Sequence, residues 1–203
     1  MARLSLCLPP FSPDYSGVSS VFFDLPAVVA IHDASGCTGN YTGYDEPRWY
    51  GAGAAIFCSA LRDIDAVMGD DEKLIGRMIA ACRDLDPKLT ALVGSPVPMV
   101  VGSDMKGIAT ELEARTGLPG FGFDTTGTAY YDRGVSAALI ALLERFAEPS
   151  PSVPNTVGIV GATPLDFADG VDIRNLQDAL QERGVEVTAT LAMGYDQIGR
   201  AHV

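Results

Sequence analysis

Apolar residues come in short dense blocks separated by stretches of helical periodicity, and the alternation of the two predicts an α/β fold. Residues 27–32 form an apolar, partly β-branched run without polar alternation, the pattern of a parallel strand buried on both faces. Residues 54–60, 89–94 and 118–123 read as further strands. Between them, 70–84 places Leu74, Ile75, Met78, Ile79 and Cys82 on one helical face, with Asp70, Asp71 and Glu72 at the positive end of the helix dipole. Residues 104–116 turn Ile108, Ala109 and Leu112 inward and stop at Gly117. A longer amphipathic helix is predicted over 130–146. Residues 16–25 read as a short helix, reached by an extended, proline-rich lead-in over 4–14.

The segment 148–155, EPSPSVPN, has the composition of a linker. The expected organisation is therefore a Rossmann-like parallel sheet with flanking helices over 1–148, a linker over 149–155, and the start of a second Rossmann-like domain over 156–203. In that second unit a strand is predicted over 156–161, a helix over 172–183 closed by Gly184, a strand over 185–191, and the beginning of a helix over 196–203. One βαβ unit is too little to bury its own sheet. It is expected either to dock on the first domain or to continue in a longer protein.

Composition narrows the class. A chain of 203 residues with 47% hydrophobic content is ample for a packed core. A net charge of −12 lacks the clustered cations of a nucleic-acid surface, so no nucleic-acid partner is expected. The longest clean apolar run, 25–31, falls far short of the ~20 residues that span a bilayer, and no membrane partner is expected either. The opening MARLSLCLPPFSPD is halted by Pro9 and Pro10 before a signal-peptide core forms. The expected location is the cytoplasm. There the four cysteines, Cys7, Cys37, Cys58 and Cys82, should be buried or metal-binding rather than disulfide-paired.

Residues 31–51, IHDASGCTGNYTGYDEPRWYG, stand apart. They leave the C-terminal end of the first strand, where α/β folds bind ligands. Cys37 lies between Gly36 and Thr38, with Gly39 and Gly43 close behind. The expectation is a tight glycine loop that turns its amide N–H groups inward, as an anionic sulfur cluster would need. Cys7 in CLPPFSPDYSG, then a strand, then Gly36-Cys37, then GDDEKL over 69–74 opening a helix, together resemble nitrogenase component 1 and its relatives. Those relatives include the light-independent protochlorophyllide reductase and the nickel-sirohydrochlorin reductase. The resemblance runs over nearly the whole chain and is strongest over 7–112.

The resemblance implies that Cys7 and Cys37 are the first two of three cysteines by which each component 1 subunit holds a bridging iron–sulfur cluster, thiolate being the ligand such iron prefers. Without it, two unconnected loop cysteines are the plainer reading. The implied cofactor-binding residues are Cys7, Gly36, Cys37 and Gly39. The implied cofactor is a four-iron cubane shared across the interface of a homodimer or of paired component 1 subunits. By the same resemblance the chain is a nitrogenase-like oxidoreductase subunit. It would take electrons from an ATP-dependent iron–sulfur reductase and pass them to a bound small-molecule substrate. The alternative is a non-catalytic scaffold or carrier for a metal cluster or tetrapyrrole cofactor. Relatives of this type are much longer and carry further Rossmann-like domains, so the chain is expected to be part of a longer protein.

The pattern departs from the family at the third cysteine, where GSPVPMVVGSD has Ser95 and Pro96. Ser95, or Asp33 ahead of the Cys37 loop, offers a harder oxygen ligand; the other reading of both is a loop without metal contact. Cys58, in AAIFCSAL, and Cys82 are expected to act as small hydrophobes. His32 either bonds a cluster sulfide or packs at the strand end. Tyr41, Tyr44, Asp45, Glu46, Arg48, Trp49 and Tyr50 read as an interface or ligand pocket, or as a loop folded on its own base. Gly120, Gly122, Thr125, Thr126 and Gly127 make a second candidate ligand loop, with helix capping as the other explanation. No dinucleotide fingerprint, P-loop, Ser-His-Asp set or HExxH is present, so ATP hydrolysis is not expected of this chain; the resemblance implies that a separate reductase protein carries it out.

Overall fold

Strand β1 (Ala27–Ile31) is buried along its whole length, and the rest of the first sheet is placed against it. It pairs in parallel with β2 (Ala55–Cys58) on one side and β3 (Leu89–Val93) on the other. Strand β4 (Gly120–Phe123) joins β3, giving the order β2-β1-β3-β4. The computed structural model describes residues 12–42, 53–69, 71–148, 151, 153–163, 166 and 170–191.

Alternation along the strands splits the core in two. Val29, Ile31, Ala91, Val93, Phe121 and Phe123 face helices α1 (Asp14–Phe22) and α7 (Tyr131–Phe146). Val28, Ala30 and Leu92 face α4 (Asp71–Leu85) and α6 (Met105–Thr116). The result is the three-layer arrangement of helices on both faces of a parallel sheet. Every residue of α1 is buried because α7 lies across its outer side. That approach needs glycine at both contact points: a Cβ on Gly134 would fall on the Asp14 carbonyl oxygen, and one on Gly17 on that of Tyr131.

The predicted strands and long helices are present, with shifted ends. Helix α1 starts earlier than expected because Pro13 takes the extended N-cap conformation next to Asp14. Three short helices were not expected: α2 (Gly36–Thr42), α3 (Asp63–Met68) and α5 (Pro96–Val101). Each is too short for a readable 3.6-residue period. The latter two end on glycines in the left-handed region, Gly69 at φ 71° and Gly102 at φ 78°. Pro96 and Pro98 sit in the first turn of α5, where the missing N–H groups have no intrahelical partner to lose.

Downstream, β5 (Thr156–Ile159) and β6 (Glu186–Thr190) form a separate parallel pair, with α8 (Gly170–Gln181) between them in sequence. Its buried apolar cluster is small: Ala162 and Ile173, with Ile159 packed against them. The Tyr131 hydroxyl bonds Thr163, which in turn donates to Asp166 at 2.7 Å. The predicted helix over 196–203 lies outside the described residues.

Candidate functional site

Three parallel strands end together, and so deliver His32-Asp33, Cys58-Ser59 and Gly94-Ser95 to one edge of the sheet. Asp33, only 2% exposed, is the hub. Its Oδ2 accepts the amide N–H of Ser35 at 2.9 Å and of Thr38 at 3.1 Å, while its Oδ1 accepts the Ser95 hydroxyl at 3.3 Å. Its backbone N–H donates to Ser59 Oγ at 3.0 Å, and its carbonyl accepts from the Leu61 N–H at 2.8 Å and the Cys58 thiol at 3.3 Å. One aspartate thus ties the ends of β1, β2 and β3 to the start of α2.

This network corrects the sequence expectation for the Cys37 loop. Gly36-Cys37-Thr38-Gly39 winds into α2 instead of a tight loop with inward amides. The Asp33 carboxylate takes up the first amides of the turn, and Ser35, at φ 122°, bends the chain into it. Gly36 and Gly39 are exposed, and a Cβ at either would meet open space, so neither is required by a close backbone approach. Ser95 is fully buried with its hydroxyl turned to Asp33, which favours the non-ligating reading of both residues.

Cys37 packs half-buried against the core beneath α1 and α7. Burial holds its thiol pKa above the ordinary 9.0; a hydrogen bond with Tyr15 acts the other way, and Asp33 and Cys58 add to the rise. Cys58, expected to be a core filler, instead stands half-buried at this edge, with Sγ accepting the Ala60 N–H at 3.3 Å. Cys82 is buried in the α4 stripe, as a small hydrophobe should be. Cys7 and the residues 43–50, with Tyr44 to Tyr50 of the polar-aromatic cluster, lie outside the described residues. Tyr41 is described; it is buried in the core with its hydroxyl 3.4 Å from Ser20 Oγ.

His32 follows the other face. Its Nδ1 lies 2.8 Å from Ser59 Oγ, and its ring lines a cleft of about 200 Å³ with Asp65, Asp71 and Asp104. Burial holds its pKa below the ordinary 6.5, against the opposing pull of Asp71 and Asp33, so the ring is neutral near pH 7. Strand-end packing is the role this geometry supports. The second candidate ligand loop is also internally satisfied. The buried Asp14 carboxylate accepts the N–H groups of Thr126 and Gly127, and Thr125 Oγ1 donates to the Gly94 carbonyl. Neither threonine caps α7, whose N-cap is Tyr130.

Sequence reading missed Ser59 and Cys58 as members of this edge. The signal lay in register: Ile31 pairs with Cys58, so the residues after each must meet. Next to Ser95, α5 exposes Met99, Val100 and Val101, and α3, packed against it, adds Ile64, Val67 and Met68. These make an apolar surface of the kind that marks protein contacts. Among the described residues no group of three or more histidine, cysteine or acidic side chains is placed to hold a metal ion.

Residues 14–202 match the family of nitrogenase component 1 type oxidoreductases. Two solved chains, nitrogenase Cp1 at pH 5 and nitrogenase Cp1 at pH 6.5, each superpose with a TM-score of 0.69 at 17% sequence identity over 99% of this chain. The match covers 43% and 41% of those chains, so this chain spans less than half their length. No curated protein matches it by sequence.

Proposed function

The chain belongs to the nitrogenase component 1 type oxidoreductase family, and from that premise we propose that it is the redox subunit of a nitrogenase-like system. It receives electrons from an ATP-dependent iron–sulfur reductase and passes them through an iron–sulfur cluster to a bound small-molecule substrate. Cys7 and Cys37 are the ligands proposed first. The observation that carries the reading is Cys37 itself, a soft, half-exposed thiol at the carboxyl edge of a parallel sheet.

The donor set fits a shared cluster better than a private one. Cys37 suits an iron ligand, yet no three-ligand group forms among the described residues of one chain. A second subunit, identical or paired, is therefore part of the proposal. When bound, the cluster supplies one-electron transfer at a potential set by burial and by hydrogen bonds to its sulfurs. The chain contributes the thiolate, a dry sheet edge behind it, and the apolar α3–α5 surface on which a partner protein could sit.

Anaerobic reconstitution with iron and sulfide tests the proposal. About four irons per dimer are expected for the wild type and for Cys82→Ala, and loss of iron for Cys37→Ala. Iron retained in Cys37→Ala, or a stable monomer with a full cluster, would sink it. That no three-ligand set forms among the described residues also favours a second reading, a carrier built to release its cluster. Transfer of cluster to an apo-acceptor without substrate turnover would select that reading.

A further inference from the structure

The pairing of β2 with β1 sets Cys58 on the same face of the sheet as Cys37. Val29 pairs with Ile56, and Ile31 with Cys58. Residues that pair across parallel strands project to the same side. Val29, Ile31 and Ile56 all belong to the core beneath α1 and α7, and Cys37 packs on that core as well. Cys58 therefore projects toward the face that Cys37 occupies. Asp33 stands between the two thiols, with its carbonyl 3.3 Å from Cys58 Sγ and its carboxylate holding the turn that carries Cys37.

Cys58 also differs from an inert core cysteine in its surroundings. It lies on the edge strand and is half-buried, whereas Cys82 is enclosed. Its sulfur accepts the Ala60 N–H at 3.3 Å, and Ala60 adopts φ 53°, a conformation that costs an alanine energy. An N–H directed at a sulfur tunes a cluster that the sulfur binds.

We propose that Cys58 is a thiolate ligand that this chain presents together with Cys37 to the iron–sulfur cluster, taking the role that Ser95 leaves empty. The inference rests on the cluster reading above. Ser95 is unsuited because its hydroxyl is buried against Asp33. On ligation the Cys58 thiol gives its proton to solvent and its sulfur bonds iron; no electron changes hands. The S–H···O contact to Asp33 is lost, a weak bond, while the Ala60 N–H keeps its acceptor. With Cys7 and Cys37, each chain then brings three thiolates and a two-fold pair six, two more than the four that a cubane takes.

The test uses the full chain under anaerobic conditions with two probes: cobalt(II), whose sulfur-to-metal charge-transfer absorption reports bound thiolate, and iron per chain after reconstitution. Wild type, Cys37→Ala, Cys58→Ala, Cys58→Ser and Cys82→Ala are compared, with far-ultraviolet circular dichroism to confirm folding. Cys58→Ala and Cys58→Ser should each lose charge-transfer intensity and bind metal at least about tenfold more weakly, while Cys82→Ala matches the wild type. Cys58→Ser keeps a hydroxyl for the Asp33 carbonyl, so a purely structural role would be rescued by it. Wild-type intensity and iron content in folded Cys58→Ala, or rescue by Cys58→Ser, would overturn the assignment while leaving Cys37 in place. A wild type that takes up neither metal would overturn it together with the cluster reading.

Discussion

The Asp14 carboxylate accepts the Gly127 amide N–H at 2.8 Å, joining the first helix to the loop after the last strand of its sheet across 113 residues of chain. The same carboxylate takes the Thr126 N–H at 3.0 Å and its neighbour Tyr15's at 2.9 Å. Asp14→Ala leaves amides at this site without their acceptor and should destabilise the fold by about 1–3 kcal/mol. Urea denaturation followed by circular dichroism measures it. A midpoint unchanged from the wild type would mean that water replaces the carboxylate without cost.

The contact between α1 and α7 admits no side chain at Gly134. Gly134→Ala pushes a methyl group onto the Asp14 carbonyl, so the helices must separate, at a cost of about 3 kcal/mol. Gly76, on α4, has open space where its Cβ would stand. Gly76→Ala should therefore stabilise by about 0.5–1 kcal/mol through helix propensity. Equal effects of the two substitutions would contradict the packing described here.

Asp33→Asn tests whether the hub aspartate is structural. Asparagine keeps one acceptor oxygen and lacks the second, so Ser95 or the α2 amides lose a partner, with an expected loss of about 1–2 kcal/mol. Iron content after reconstitution should stay at the wild-type level. Loss of iron in a folded Asp33→Asn protein would make the carboxylate a ligand.

The strands and long helices were legible because their signals are local: β1 is apolar throughout, and α4 repeats apolar residues on one face. The short helices were not, since α2 depends on an Asp33 carboxylate that also answers to Ser95, 62 residues away. Glycine in Gly36-Cys37 suggested an anion-binding loop by composition, whereas the turn is decided by a cap. The site was readable as a place, the carboxyl edge of β1, and not as a set. Cys58 and Ser59 join it only through β2 register, which the amino-acid pattern of β2 alone does not specify. Thr126 and Gly127 looked available to a ligand because nothing nearby in sequence pointed to Asp14 as their acceptor.

The β5–β6 pair should open more readily than the main sheet. Val157 is 39% exposed and Val160 60%, whereas Val28, Val29 and Ile31 are fully buried. Local opening follows buried apolar contact. Amide hydrogen exchange should therefore show the amides of 157–159 exchanging well before those of 28–31. Equal protection would show that something else covers the smaller sheet.

Acid should weaken the fold through His32 before it reaches the carboxylates. Burial lowers the folded-state pKa of His32 below the ordinary 6.5. As pH falls through that value the unfolded chain takes up a proton that the native ring refuses, so stability declines, by at most about 1.4 kcal/mol per pH unit. Asp65 beside Lys73, Glu72 beside Arg115, and Glu113 with the Gly120 amide and Arg145 are shifted down instead. Their contributions persist above the ordinary carboxylate values of 3.8 and 4.5 and are lost only below them. Of these groups, His32 is the one that acts in the window from about pH 5 to 7. His32→Asn, which keeps a polar group near Ser59, should flatten the dependence of the urea midpoint on pH in that window. A slope equal to the wild type's would place its source elsewhere in the chain.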